Sequence, residues 1–114
     1  MIYSVYARDS VADELKIRDK VTDGFNFKQT VVAFHGACVV REEESDFFGG
    51  EESSAYQSKV MVNPTFRKLY GVAKEQQKAT KDYHHIFFEG VLDTGEDVVV
   101  RGQTVRLLRL MLGS

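Results

Sequence analysis

The residues best suited to chemistry are concentrated at positions 83–89, where the sequence is Tyr-His-His-Ile-Phe-Phe-Glu. Histidine can hold or release a proton near neutral pH, which makes it the commonest general acid or base in enzymes. On a regular strand His85 and Glu89 share a face but lie about 13 Å apart at ~3.3 Å per residue, too far to share one metal ion or proton. His85 is therefore the candidate general acid or base, and a half-exposed sheet residue is its plainer alternative.

Metal binding and cysteine chemistry are both disfavoured by residue spacing. His84 and His85 are adjacent, so on a strand their side chains point to opposite faces and cannot chelate one ion. His35 precedes the single cysteine, Cys38, by three residues, which also places these two side chains on opposite faces. We therefore predict no metal site and no cofactor, and we expect His84 and Cys38 to be core residues.

The motifs of common phosphate-binding and nucleophilic enzymes are absent from the sequence. It contains no Gly-x-Gly-x-x-Gly, Gly-Lys-Ser/Thr, Gly-x-Ser-x-Gly or His-Glu-x-x-His. We therefore favour a non-catalytic binding or interaction module over an enzyme. The alternative is an enzyme acting on a small substrate, in which His85 moves a proton and Arg101 holds an anionic group.

Residues 42–54 are the one strongly biased segment, with six acidic residues, three serines and two glycines. This composition predicts an acidic loop without a domain boundary. Phe47 and Phe48 lie in its middle, where they either close one end of the core or present an aromatic anchor to a protein partner. In the binding-module hypothesis, this pair and the sheet face bearing His85, Glu89 and Arg101 are the contact surfaces.

Charge is divided unevenly along the chain, although the net charge is only −2. Residues 1–54 carry six basic and eleven acidic side chains, whereas residues 55–114 carry nine basic and six acidic ones. Arg101, Arg106 and Arg109 make the last predicted strand arginine-rich, so an RNA- or single-stranded-DNA-binding regulator is a further alternative. The basic excess is small for a dedicated nucleic-acid binder, and ion pairs with the acidic half explain it more simply.

Length and composition bound the class of protein. The chain has 114 residues, of which 43% are hydrophobic, and this fits one domain with a real core. A single cysteine excludes an internal disulfide framework, and no apolar stretch approaches the ~20 residues of a membrane span. Since the first residues also lack a signal-peptide pattern, we expect a cytoplasmic protein without a membrane partner.

The elements of the first half are a short strand, an ambiguous segment and a long strand. Residues 2–7 are typical of a strand, and Thr22-Asp23-Gly24 is a clear break. Between them, residues 10–21 fit either a helix capped by Ser10 or a strand, because apolar residues also alternate there. Residues 25–41 are rich in β-branched and aromatic side chains and predict one long strand or two joined by a bend.

The second half predicts a strand, a helix and a hairpin. Residues 56–62 alternate as a strand, and Asn63-Pro64 is typical of a helix start, with Asn63 as the cap and the helix ending by about Lys81. Its buried stripe is Phe66, Leu69, Tyr70 and Ala73. Residues 83–92 and 98–112 then predict two strands around a loop at residues 93–97, in a register that places Glu89 opposite Arg101 and Gly102 opposite Phe88.

This order of elements predicts an α+β fold, a ferredoxin-like βαββαβ sandwich with an extra C-terminal antiparallel strand. If residues 10–21 form a strand, the alternative is a mostly antiparallel sheet with one long helix across it. The last strand is apolar at six positions: Val105, Leu107, Leu108, Leu110, Met111 and Leu112. Such a strand at the sheet edge would be an aggregation hazard in a monomer, so we expect a homo-oligomer.

Overall fold

A mixed β-sheet and one long helix organise the described part of the chain. The computed structural model describes residues 3–5, 19–20, 31–43, 45–46, 52–53, 55–82 and 85–113. The elements in chain order are β1 (Tyr3–Val5), β2 (Asp19–Lys20), β3 (Ala37–Glu42), β4 (Ser45–Asp46), β5 (Glu52–Ser53), β6 (Tyr56–Gln57), β7 (Met61–Val62), α1 (Phe66–Thr80), β8 (Phe87–Val100) and β9 (Gln103–Gly113).

The main path of the sheet has five strands in the order β1-β8-β9-β3-β6, with β2 paired to β8 and β7 paired to β3. Strands β3 and β9 are parallel, and every other pair is antiparallel. An α+β fold is therefore confirmed, whereas the ferredoxin-like arrangement is not. The strand expected at the edge, β9, instead lies inside the sheet between β8 and β3.

The position of β9 removes the reason for expecting a homo-oligomer. Val105, Leu107, Leu108 and Leu110 are all at most 8% exposed within the single chain, because they belong to the two core clusters of the sheet. The strand is therefore not the exposed edge strand from which a second subunit was expected, and the homo-oligomer itself stays a prediction.

Helix α1 forms where the apolar spacing predicts it. Its buried face includes the predicted stripe of Phe66, Leu69, Tyr70 and Ala73, and it ends at Lys81 in a left-handed C-cap conformation. The cap at its start differs from the prediction, because Thr65 rather than Asn63 caps the helix by accepting a hydrogen bond from the Lys68 amide. Asn63 instead adopts a positive φ of 50° and accepts a hydrogen bond from the Gly36 amide at 2.7 Å.

The β8–β9 hairpin turns at Arg101-Gly102, not at the predicted loop of residues 93–97. Both turn residues have positive φ, 50° and 82°, which suits the right-handed twist of a two-residue hairpin. Val100 lies opposite Gln103, and Phe88 lies opposite Leu112. The predicted pairs Glu89–Arg101 and Phe88–Gly102 are therefore wrong, because the turn lies several residues further along the chain.

Two irregularities accommodate the long strands of this hairpin. The first lies between Phe88 and Gly90, where Glu89 is an extra residue and Gly90 has a φ of 137°. A bulge reverses the alternation of side chains, so Phe88 and Val91 both enter the main core. The regular alternation predicted along residues 83–92 was thus wrong beyond Phe88.

The second irregularity lies between Asp93 and Asp97 and replaces the predicted loop. The Thr94 hydroxyl donates to the Leu107 carbonyl at 2.7 Å. Arg106 donates through Nε to Asp97 and through Nη1 to both carboxylate oxygens of Asp93, at 2.8 to 2.9 Å. Polar side chains therefore hold residues 93–97 within the strand.

The core has two parts on opposite faces of the sheet. The larger one joins α1 to β3, β8 and β9 and contains Cys38, as predicted for a small apolar residue; burial raises the pKa of its thiol to about 11. Tyr70 and Phe88 meet edge to face there with ring centroids 6.0 Å apart. The smaller part contains Val39, Val105 and Leu107.

Several predictions for the first half fall only partly on the described residues. Tyr3–Val5 forms a strand as predicted, and Asp19–Lys20 is a strand, whereas the rest of residues 10–21 and residues 25–30 lie outside the described part. Within the described residues 31–43, the regular strand is Ala37–Glu42, so His35 precedes this strand rather than belonging to it. Within the predicted acidic loop, β4 and β5 pair antiparallel.

Candidate functional site

A polar cleft forms where the end of α1, the start of β8 and the end of β9 converge. Its volume is about 380 Å³, at the lower end of the range for small-molecule pockets. Helix α1, the segment after it and β8 contribute five polar residues, β3 contributes one, and β9 contributes an arginine and an apolar floor. The lining is Glu42, Gln76, Thr80, Asp82, His85, Glu89, Arg109, Leu110, Met111 and Leu112.

His85 is oriented in this cleft by Asp82. The imidazole Nδ1 lies 2.8 Å from Asp82 Oδ2, and the His85 backbone amide donates to the other carboxylate oxygen at 3.4 Å. The side chain of His85 is 45% exposed and that of Asp82 is 19% exposed. Because β8 begins at Phe87, His85 belongs to a turn after the helix and not to the strand on which its position was predicted.

Glu89 reaches the cleft because of the bulge in β8. It is the extra residue between Phe88, which lies opposite Leu112, and Gly90, which lies opposite Met111. Bulges commonly redirect a side chain in this way. Its carboxylate lies against Gly113, at the position where any larger residue would place its Cβ atom. The glycine therefore leaves the space that the carboxylate occupies.

Arg109 and Glu42 close the opposite wall of the cleft. Arg109 Nη2 donates to Glu42 Oε1 at 3.0 Å, with the two side chains 45% and 26% exposed. This bond joins the basic second half of the chain to the acidic first half, as expected for ion pairs between them. Arg109 thus contributes a guanidinium group to the lining of the cleft.

Gln76 carries a polar atom of the cleft that lacks a partner. The residue is only 3% exposed, and its Oε1 is buried without a hydrogen-bond partner among the residues that the structure describes. The neighbouring Thr80 cannot provide one, since its hydroxyl donates to the Gln76 carbonyl at 2.8 Å. A buried amide oxygen without a donor costs about 1–3 kcal/mol, which makes this atom the natural contact for a bound hydrogen-bond donor.

The structure brings together some of the predicted site residues and separates others. His85 and Glu89 line one cleft, but Arg101 is the first residue of the hairpin turn, at the opposite end of β8 from Glu89. Phe47 and Phe48 lie outside the described residues, as does His84. Among the described residues, no group of three or more His, Cys, Asp or Glu side chains is arranged to hold a metal ion.

Residue spacing did not identify Gln76, Asp82 and Arg109 as cleft residues. Gln76 and Asp82 could have been predicted from the end of the helix. A helix that stops at Lys81 places both residues near the start of the next strand. Arg109 had no local signal. Its place depends on β9 pairing with both β3 and β8, a contact across the whole chain.

A larger depression of about 970 Å³ lies between residues 56–65 and α1. Its charged lining residues are Lys59, Lys68, Glu75 and Lys78. Burial raises the pKa of Tyr56. The hydrogen bond that its hydroxyl donates to Glu75 at 3.0 Å raises this pKa further. No predicted site residue lines this depression, so the smaller cleft is the better candidate despite its size.

Comparison with protein families, curated proteins and solved structures gives no match for this chain. Across the described residues, no helix combines the length and apolarity needed to cross a membrane. A function for this chain is therefore inferred from the cleft.

Proposed function

We propose that this chain is a binding module whose site for a small polar molecule is the cleft around His85. The buried Oε1 of Gln76, which has no partner within the described part of the chain and lies beside a cavity of about 380 Å³, carries this proposal, because a ligand would supply the missing donor. Leu110 and Met111 add an apolar surface against which a short carbon chain can pack. The predicted protein contact through residues 42–54 stays a separate prediction of the same binding-module hypothesis.

The test is an NMR titration of the full-length chain with three probes that share a four-carbon chain: n-butylammonium, n-butanol and butyrate. We expect at least one probe to shift the methyl signals of Leu110 and Met111 and the side-chain amide of Gln76. The methyl signals of Val62 and Val99, which are 67% and 69% exposed, report non-specific association. If all three probes leave the cleft signals unchanged, the proposed site is wrong.

Arg101→Asn is the matched control for this titration. Arg101 belongs to the predicted contact face but lies at the hairpin turn, where its positive φ favours asparagine. We expect the variant to bind the probes as the unmodified chain does. A loss of binding in Arg101→Asn would show that the surface containing Arg101, and not the cleft, makes the contact.

Catalysis is a second candidate because Asp82 orients the His85 imidazole at 2.8 Å within the cleft. This arrangement suits general acid–base work on a bound small substrate. Hydrolysis of 4-nitrophenyl butyrate by the unmodified chain and by His85→Gln distinguishes the two functions. Faster turnover by the unmodified chain would support an enzyme, whereas equal rates would support a binding module.

A further inference from the structure

We infer that the ligand of this cleft is a cation with N–H donors, namely a small alkylammonium or amidinium compound. The inference deepens the proposed function and depends on it, since it names the class of molecule that the same cleft would hold. Three features of the lining lead to it: its charge, its unsatisfied acceptor and its apolar floor.

The charge of the lining is negative. Glu42, Asp82 and Glu89 contribute three carboxylates, against the guanidinium of Arg109 and the imidazole of His85. With a neutral imidazole, the carboxylates exceed the cations by two. A partly enclosed site of this sign favours a cation and repels a carboxylate or phosphate.

The hydrogen bonds of the lining also favour a donor. Arg109 already donates to Glu42, and the Thr80 hydroxyl already donates within its own helix. Across residues 31–43, 55–82 and 85–113, which the structure describes, Gln76 Oε1 is a buried side-chain atom without a partner, and it is an acceptor. An ammonium or amidinium group has N–H donors and no acceptor, so it meets both the charge and this atom.

The floor of the cleft sets the remainder of the ligand. Leu110, Met111 and Leu112 offer apolar surface beside the polar wall, and Leu112 packs against the main core. Space for the acidic wall depends on Gly113, against which the Glu89 carboxylate lies. A short alkyl chain on the cationic group would cover this floor, which an inorganic cation could not do.

The three probes of the titration test this inference separately from the proposed function. We expect n-butylammonium to bind about tenfold more tightly than n-butanol, and butyrate to bind more weakly than both. If n-butanol or butyrate binds the cleft as tightly as n-butylammonium, the cation inference is wrong while the binding function stands. If no probe reaches the cleft, the proposed function itself is wrong.

Variants identify the groups responsible. Glu89→Gln is expected to weaken n-butylammonium about fivefold or more, with little effect on n-butanol. Gln76→Leu is expected to weaken n-butylammonium by a similar factor and n-butanol by less, because the butanol hydroxyl also donates to Oε1 but carries no charge. Glu96→Gln, which removes an exposed carboxylate elsewhere on the hairpin, is the charge-matched control and should change nothing. Gly113→Ala adds one methyl group that displaces the flexible end of Glu89, so it tests the same wall if Gln76→Leu lowers stability. Equal weakening by Glu96→Gln and Glu89→Gln would overturn the inference, because net charge alone would then explain binding.

Discussion

Two arginines three positions apart on β9 have contrasting surroundings. Arg106 donates to two aspartates, one of them through two hydrogen bonds, and these bonds raise the pKa of its guanidinium and close the irregular segment of β8. Arg109 donates a hydrogen bond of 3.0 Å to Glu42 at the rim of a cavity. In the first cluster each charged side chain is paired with an opposite charge, whereas in the second the Gln76 Oε1 has no donor among the described residues.

The difference indicates how similar residues divide between stability and binding. Around Arg106, the charged groups contact each other directly across β8 and β9, so the ion pairs stabilise residues 93–97 as part of the strand. Around Arg109, the charged groups line a cavity. Charged groups that already pair with each other gain no hydrogen bond from a ligand. A cluster that surrounds a cavity and contains an unpaired acceptor gains one when a donor binds.

The largest effect is expected from breaking the Arg106 cluster. Arg106→Met should lower the free energy of unfolding by about 2 kcal/mol, because it removes the hydrogen bonds to two charged groups and leaves the largely buried carboxylate of Asp93 beside the exposed carboxylate of Asp97 without a cation. Arg109→Met is the matched control and should cost only about 0.5 kcal/mol, since its ion pair is more exposed. Urea unfolding of both variants measures the difference, and equal losses would contradict the comparison.

Much of helix α1 could be predicted because its signals are local. The spacing of Phe66, Leu69, Tyr70 and Ala73 defines a buried stripe whatever the rest of the fold does. The hairpin could not be predicted in this way. Asp93-Thr94-Gly95-Glu96-Asp97 has strong turn composition, while Arg101 is an unfavourable residue for positive φ, so local preference favours the wrong turn.

Long-range contacts decide between the two turns. Thr94 and Arg106 tie residues 93–97 to β9, and β9 is itself held by β3, which lies far away in the sequence. The same limit applies to the site. His85 and Glu89 were selected as candidates by residue type, but the bulge that brings Glu89 to the cleft and the pairing that brings Arg109 there are properties of the assembled sheet.

The loss of stability at alkaline pH is expected to come from Cys38, a buried core residue on the strand next to Arg106. Cys38 lies opposite Arg106 in the β3–β9 ladder, and burial raises the pKa of its thiol from 9.0 to about 11. The unfolded chain therefore loses this proton first, so the stabilising contribution is complete below pH 9 and is lost as the pH rises towards 11. At pH 10 the loss is about 1.4 kcal/mol.

Cys38→Ala provides the reference for that titration because it lacks the thiol and keeps the other ionising groups. We expect the free-energy difference between the unmodified chain and Cys38→Ala to shrink by this amount between pH 8 and pH 10, measured by urea unfolding. A difference that stays constant over this range would show that the thiol ionises as easily in the folded chain as in the unfolded one.

The smallest effect on stability is expected at the centre of the proposed site. Gln76→Leu replaces a buried acceptor, which has no partner among the described residues, with an apolar side chain of similar length. The free energy of unfolding should therefore rise by about 0.5 kcal/mol. The same variant should lose the preference for n-butylammonium. A gain in stability together with a loss of binding is the pattern of a residue kept for a ligand, because a purely structural glutamine would lose both. Thermal unfolding with and without n-butylammonium measures the two quantities in one experiment, and a stability loss above about 1 kcal/mol would instead place Gln76 with Arg106 among the residues that hold the fold together.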